Sequence, residues 1–137
     1  LGIELRKVPL RAPDELGAAV AAVAREAPDG AFLAGQPWFA RHAATIATAC
    51  LQQRLPAISG WSEFALAGNL LSYGPRHREY FRHAAVYVDK ILRGAKPAHL
   101  PVEQPVRFEL VLNQKTAQAI GLVVPQALHV RADEVIG

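Results

Sequence analysis

The sequence contains a single cysteine among 137 residues. Cys50 therefore has no partner in the chain for a disulfide, and no second cysteine can join it in a metal site. Such sparse use of cysteine fits either a reducing compartment or an exported protein without disulfides. Because Cys50 falls on the apolar side of a predicted helix, we interpret it as a small core residue.

Long apolar runs and runs of like charge are also absent. No stretch approaches the roughly eighteen consecutive apolar residues that a membrane-spanning helix needs, and the first residues lack the charged-then-apolar pattern of an export signal. Fifteen Lys and Arg are scattered among twelve Asp and Glu, for a formal net charge of +3. A mildly basic surface without a basic stripe argues against nucleic acid as a partner.

Patterns typical of catalysis or metal binding are missing too. The sequence has neither a phosphate-binding loop nor a nucleophile paired with a base. The five histidines lie on different predicted elements without the spacing of a metal site: His42, His77, His83, His99 and His129. We therefore predict a protein that is not an enzyme and uses neither a cofactor nor a metal.

The composition is that of a folded protein. Hydrophobic residues make up 51% of the chain and charged residues 20%, which is far from the high-charge, low-apolar signature of disorder. A chain of this length forms a core of its own and is typically one domain. We predict a single domain over residues 1–137.

Segments with the patterns of strands and helices alternate along the chain. The predicted strands are residues 3–10, 31–34, 55–60, 69–73 and 107–112. The predicted helices are a segment that begins near Asp14 and ends before Pro28, residues 39–53, a short helix of residues 62–67 capped by Ser62, residues 77–92, a short helix capped by Asn113 and closed by Gly121, and final helical turns from Pro125 to Val135. This alternation predicts an α/β fold in three layers, with a mostly parallel sheet and helices on both faces.

Polar and aromatic residues follow three of the predicted strands. The three loops are Gln36-Pro37-Trp38, Ser59-Gly60-Trp61 and Ser72-Tyr73-Gly74. Because the carboxyl ends of parallel strands meet at one edge of a sheet, these loops are expected to line a single crevice. Aromatic rings there can stack on a planar or apolar ligand, and the polar groups can hydrogen-bond to it. The predicted ligand-binding residues are Gln36, Trp38, Ser59, Trp61, Ser72 and Tyr73.

Five of these residues also have a structural interpretation. Trp38 and Trp61 would bury large areas by packing at the sheet edge, whether or not a ligand is present. Ser59 and Ser72 are residues that commonly cap backbone groups at turns. For Tyr73 the ligand role is favoured, since it lies at a strand end beside Gly74 and Pro75.

Specific segments resemble a known family. The segments LLSYGP and YVDKIL, followed by GAKP, LPVEQP and FELV, closely resemble the C-terminal end of ABC-transporter substrate-binding proteins of the uncharacterised sugar or amino-acid type. The likeness extends upstream through LPAISGWSEFALAGN and PDELGAAVAAVAREAPDGAFL, so that it covers nearly the whole chain.

The resemblance implies a solute receptor without catalysis. Such proteins have a type I periplasmic-binding fold, in which two lobes close on a small organic ligand before docking on an ABC permease. An aromatic or branched amino acid, or a related compound, is the implied ligand, and the implied location is periplasmic or exported. Where many relatives have an acid or another small polar residue, this chain has Gln36. If the acid at this position pairs with the amino group of a ligand, such a ligand would lose its counter-charge in this chain.

The resemblance further implies that the lobe is incomplete. A full member has an export signal, an N-terminal lobe, and the first strand and helix of the C-terminal lobe before the position of Leu1. The helix of residues 77–93 would cross to the other lobe. The missing strand would leave an unpaired sheet edge or a rearranged pairing. We therefore expect a homo-oligomer, with a helix-swapped dimer as one form. The alternative to the receptor is a stand-alone α/β module that self-associates and has no tight ligand.

Overall fold

The computed structural model describes residues 2–10 and 12–137, and its backbone alternates short strands with helices. The strands are β1 (Ala31–Leu33), β2 (Ala57–Ser59), β3 (Leu71–Pro75), β4 (Phe108–Asn113) and β5 (Glu134–Ile136). The helices are α1 (Leu16–Arg25), α2 (Pro37–Arg41), α3 (Ala43–Gln52), α4 (Ser62–Leu66), α5 (His77–Leu92), α6 (Gln114–Ile120) and α7 (Gln126–Arg131). Single 3₁₀ turns lie at Pro13–Glu15 and Pro97–His99.

The strands form one mixed sheet in the order β1-β2-β3-β4-β5. Strands β1, β2 and β3 are parallel, β4 runs antiparallel to β3, and β5 is parallel to β4. The α/β class predicted from the alternation of elements is confirmed. The parallel arrangement places the carboxyl ends of β1, β2 and β3 at one edge, and the first residues of β4 reach the same edge because Phe108 pairs with Pro75.

Helices α1 and α3 supply most of the core. Leu16 of α1, Ile46 of α3 and Phe64 of α4 are almost completely buried, and they belong to one core cluster with Ala57 of β2. Alanines on α3 allow the helix to approach closely, and burying a side chain such as Leu16 contributes about 2 kcal/mol. Cys50 belongs to this cluster, where burial raises the pKa of its thiol to about 11. Its interpretation as a core residue is confirmed.

The opposite face of the sheet exposes apolar side chains at β1 to β3. Phe32 pairs with Ile58 in register, and Ile58 pairs with Leu71, so the three share one face. Phe32 is 63% exposed and Ile58 38% exposed. Tyr73, two residues beyond Leu71, lies on the same face.

The prediction of a strand over residues 3–10 is wrong. Residues 2–10 form neither helix nor strand, and Ile3 and Leu5 are 73% and 78% exposed. A strand requires a neighbouring backbone to pair with. None of the described strands pairs with this segment, so its alternating apolar residues do not produce one.

The prediction of helical turns through Val135 is also wrong. Helix α7 ends at Arg131, and Glu134–Ile136 pairs with β4, with Ile136 opposite Asn113. Asp133 establishes this pairing, because its backbone N–H donates to the Leu110 carbonyl and its carboxylate accepts from the Leu110 N–H at 2.9 Å. The β-branched Val135 and Ile136 then suit the strand.

Two helix boundaries differ from the predicted ones. The predicted helix of residues 39–53 is two helices, α2 and α3, which meet at His42. Pro37 occupies the first turn of α2, where its missing N–H costs nothing. Ser62 does not cap α4: Trp61 is the N-cap residue, without a side-chain cap bond.

The caps of α6 agree with the sequence prediction. The Asn113 side-chain oxygen accepts from the Thr116 N–H at 3.0 Å, and Gly121 ends the helix in the left-handed conformation at φ 79°. Glycine has no Cβ atom, so it adopts this left-handed conformation at the end of the helix without a steric penalty. The Asn113 amide also donates to the Ala65 carbonyl at 3.1 Å, which joins α6 to α4.

Helix α5 stands on the surface of the described structure. None of its residues is buried, and Phe81 and Leu92 are 69% and 82% exposed. The connector of residues 95–107 is attached to it by the Tyr87 hydroxyl, which donates to the Pro101 carbonyl at 2.8 Å, and by a 3.2 Å contact between His83 and Glu103. Within the described residues, no helix has the length and apolar character needed to cross a membrane.

Candidate functional site

The loops after β1, β2 and β3 meet at the carboxyl edge of the sheet. Glycines make the contact possible, because a Cβ atom on Gly74 would lie 1.8 Å from the Gly60 carbonyl oxygen. A Cβ atom on Gly35 would lie 2.4 Å from Nε1 of Trp61. Both distances are far below van der Waals contact, so only glycine fits at either position.

Trp61 is held from three sides at this edge. Its ring lies against Gly35 and meets the His77 ring edge-on, with 4.5 Å between ring centroids. Its backbone N–H donates to the Ser59 hydroxyl at 3.3 Å, and that hydroxyl donates to the Leu33 carbonyl at 3.0 Å. Three neighbouring elements therefore fix the orientation of one half-buried indole.

A cleft of about 500 Å³ opens beside Trp61. We call it the aromatic cleft, and its lining residues are Pro37, Ala40, Arg41, Trp61, Glu63, His77, Tyr80 and Phe81. Residues of α2, α4 and the first two turns of α5 thus surround a mostly apolar surface. The volume lies in the range of small-molecule sites.

The charged groups of the aromatic cleft differ in their partners. Glu63 is in contact with His77, with 3.2 Å between Oε1 and Nδ1. Arg41 is exposed and makes no ion pair with any of the residues that the structure describes. An arginine remains charged at any physiological pH. The cleft therefore offers an available cation beside apolar rings.

A second cleft, of about 510 Å³, lies on the other side of the Glu63–His77 pair. We call it the polar cleft, and its lining residues are Ser62, Glu63, Arg76, His77, Arg78, Glu79, Arg82, Glu109 and Glu134. Arg76 pairs there with Glu109 at 3.3 Å and with Asp133 at 3.0 Å. These pairs tie the start of α5 to β4 and to the start of β5.

The comparison with protein families decides where the chain belongs. The family model described as ABC transporter substrate binding protein matches residues 1–136. The chain belongs to the ABC transporter substrate-binding protein family. A search of curated proteins gave no match.

Solved structures share the fold of this family member. A conserved domain protein from Vibrio cholerae has a TM-score of 0.82 and 24% identity, and the match covers 89% of this chain and 41% of that one. A Streptococcus pneumonia ABC domain in complex with L-Trp has a TM-score of 0.82 and 22% identity, with 90% of this chain and 41% of that one covered.

A third structure is more distant. It is the ligand-free, open form of a substrate binding protein with adhesive properties from Clostridium difficile, with a TM-score of 0.65 and 16% identity over 92% of this chain and 42% of that one. At these identities the likeness concerns the fold. This family member spans less than half the length of the structures it matches.

The structure places one of the predicted ligand-binding residues, Trp61, in the lining of the aromatic cleft. Gln36 is the exposed N-cap residue of α2 and directly precedes the lining residue Pro37, but it does not itself line the cleft. Trp38 instead packs on the core side of α2, with its ring 4.9 Å from Phe39 and 5.2 Å from His42.

The other predicted residues lie away from both clefts. Ser59 is buried and bonded to the backbone, as described above. Ser72 is also buried, and its hydroxyl has no hydrogen-bond partner within the described part of the chain. Tyr73 is 58% exposed and stacks on Phe108 at 5.6 Å, on the open face of the sheet.

Seven of the residues that line the aromatic cleft were not predicted from the sequence to bind ligand, among them Arg41, Tyr80 and Phe81. All three lie on helices that directly follow a strand end of the predicted crevice, α2 after β1 and α5 after β3. Their position in the sequence, within one or two helical turns of a predicted strand end, is the signal from which they could have been predicted.

Proposed function

We propose that this chain forms one side of the ligand cleft in the solute-binding component of an ABC importer. The observation that supports it best is the aromatic cleft at the carboxyl edge of β1 to β3, in a member of the substrate-binding family. Open α/β sheets bind ligands at this edge. A second lobe completes the cleft in this proposal.

The proposed ligand is a small organic molecule with an aromatic or branched apolar body. Trp61, Tyr80 and Phe81 offer ring faces and edges to such a body, and an aromatic pair contributes about 0.5–1.5 kcal/mol beyond the area that it buries. An aromatic or branched amino acid, or a related compound, fits this surface. The Streptococcus pneumonia structure of the same fold was solved with L-Trp, which supports this range of ligands.

In the proposal the protein binds and releases its ligand without catalysis. Closure of the two lobes excludes water from the apolar rings, and the closed form docks on the membrane permease. The protein would act in the periplasm or at the outer side of the cell membrane, as an exported protein.

Calorimetric titration of the protein with its second lobe present, against L-Trp, L-Phe, L-Leu and glucose, tests the proposal. We expect saturable heat with at least one of the amino acids and none with glucose. A ligand at a hundred times its Kd stabilises the folded state by about 2.7 kcal/mol, so thermal unfolding provides a second readout.

A pair of variants locates the site. Trp61→Ala removes the ring that lines the aromatic cleft, whereas Tyr73→Ala removes an exposed ring on the open sheet face. We expect loss of binding in the first variant and unchanged affinity in the second, with circular dichroism to verify the fold of both. Equal loss in both variants would place the site elsewhere, and no binding by any amino acid would contradict the proposal for this ligand class.

Helix α5 favours a second candidate function. Its exposed apolar side chains, among them Phe81, Val88 and Leu92, suit a self-associating α/β module that holds no tight ligand, with a helix-swapped dimer as one form. Sedimentation velocity tests it: the chain should sediment as a dimer or larger at micromolar concentration, and Leu92→Glu should shift it toward the monomer. A monomeric mass for the unmodified chain would exclude this candidate.

A further inference from the structure

The aromatic cleft has one cation and one carboxylate, and they are not equally available. The described residues that line the cleft include Glu63 as their one acidic residue. Its Oε1 lies 3.2 Å from Nδ1 of His77, so an incoming ammonium group would compete with an existing contact. Arg41 faces no such competition within the described structure.

The position of Arg41 suits it to reach a ligand bound on the rings. Arg41 ends α2, whose first residue, Pro37, also lines the cleft. Residues four apart lie on the same side of a helix. The Arg41 guanidinium therefore lies on the side of α2 that borders the apolar surface of the cleft.

The arginines of the polar cleft are placed differently. Arg76 is neutralised by Glu109 and Asp133. Arg78 and Arg82 line only the polar cleft, beyond the Glu63–His77 pair. Arg41 is thus the arginine that borders the aromatic rings.

We infer that, among ligands with an aromatic or branched apolar body, the aromatic cleft prefers carboxylic acids that lack an α-amino group over the corresponding amino acids. Arg41 binds the carboxylate, for which the planar guanidinium offers two parallel N–H donors. Trp61, Tyr80 and Phe81 take up the apolar body. The inference rests on the proposed function, because it specifies the ligand class of the same cleft.

Four compounds with one phenyl ring and a short side chain separate the contributions. They are 3-phenylpropionate, with a carboxylate; L-phenylalanine, with a carboxylate and an ammonium; phenethylamine, with an ammonium; and 3-phenylpropanol, which is neutral. Calorimetric titration of the protein with its second lobe present should give the tightest binding for 3-phenylpropionate. Raising the salt concentration should weaken that binding and leave 3-phenylpropanol unaffected.

Arg41→Gln and Arg82→Gln form the matched pair of variants, since both replace an exposed arginine on a helix surface. Arg41→Gln should weaken 3-phenylpropionate about fivefold, the effect of a well-placed exposed charge pair, without changing 3-phenylpropanol. Arg82→Gln should change neither. Thermal unfolding of both variants verifies that the fold is retained.

The outcomes distinguish this inference from the proposed function. Tighter binding of L-phenylalanine or phenethylamine than of 3-phenylpropionate would overturn the carboxylate selectivity while leaving a solute-binding cleft in place. An unchanged affinity of Arg41→Gln for 3-phenylpropionate would also overturn it. Absence of binding by all four compounds would remove the proposed function for aromatic ligands, and the inference with it.

Discussion

The Trp61 indole lies directly on the backbone of Gly35, so close that a Cβ atom at Gly35 would be 2.4 Å from Nε1 and 2.6 Å from Cδ1. The loop after β1 therefore supports the ring that the loop after β2 presents to the aromatic cleft. His77, at the start of the helix α5 that follows β3, supports the ring from a third side.

Gly35→Ala should displace Trp61. The added methyl group cannot fit beside the ring, so the indole must rotate away from His77 and the loop must shift, at a cost of about 1–3 kcal/mol in the free energy of unfolding. Tryptophan emission should change, and ligand affinity in the aromatic cleft should fall. Gly17→Ala is the control: nothing lies within 4 Å of its added Cβ, and alanine inside α1 should stabilise by about 0.5–1 kcal/mol. Equal stability of Gly35→Ala and the unmodified chain would show that the contact is not tight.

Gly74→Ala should be more damaging than Gly35→Ala. Its Cβ atom would lie 1.8 Å from the Gly60 carbonyl oxygen and 2.7 Å from the carbonyl carbon, so a backbone segment has to move rather than a side chain. Separation of the ends of β2 and β3 should cost about 3 kcal/mol. Denaturant unfolding measures the difference. A smaller loss than in Gly35→Ala would contradict this ranking.

Local patterns in the sequence predicted the helices whose ends are marked by capping or terminating residues. The bounds of α5 follow from its amphipathic repeat and from Gly94, and those of α6 follow from Asn113 and Gly121. Strand β5 was missed because three residues carry little periodicity, and its pairing depends on Asp133 meeting Leu110, which is distant in sequence.

The candidate site was predictable only in part. The edge of the sheet and the role of Trp61 in lining it follow from the position of polar and aromatic loops after strands. The contribution of Arg41 depends on the break at His42, which separates α2 from α3, and that of Tyr80 depends on the direction in which α5 leaves β3. Both contributions depend on tertiary packing, which cannot be predicted from hydrophobic periodicity.

Asn113→Ala should destabilise the fold by about 2 kcal/mol or more. The substitution removes the cap of α6, which contributes about 1 kcal/mol, and leaves the Ala65 carbonyl without its donor in a buried place. Urea unfolding measures the loss. Gln118→Ala, at an exposed position of α6, should stay within about 0.5 kcal/mol of the unmodified chain. A similar effect of the two substitutions would mean that the Asn113 bonds contribute little.

Cys50 should react slowly with thiol reagents in the folded state. Burial raises the pKa of its thiol to about 11, and the thiolate is the reactive form. At pH 8 the reaction with a disulfide reagent should proceed through unfolding, and it should accelerate greatly in denaturant. Fast labelling of the native chain, at the rate of a free thiol, would contradict the burial of Cys50 in the core.

Acid should release the connector of residues 95–107 from α5. The neighbouring Tyr87 hydroxyl and His83 ring hold the pKa of Glu103 below its ordinary value. A carboxyl group with a lowered pKa in the folded state contributes stability above its unfolded pKa, and this contribution is lost as the pH falls through the folded pKa. Hydrogen exchange of the connector amides should therefore increase, relative to the intrinsic rate, below about pH 4.

Glu103→Gln should show the loosened connector already at neutral pH, whereas Glu134→Gln, outside the connector, should not. Identical protection of the connector in Glu103→Gln and the unmodified chain at neutral pH would argue that Tyr87 and Pro101 alone hold it in place.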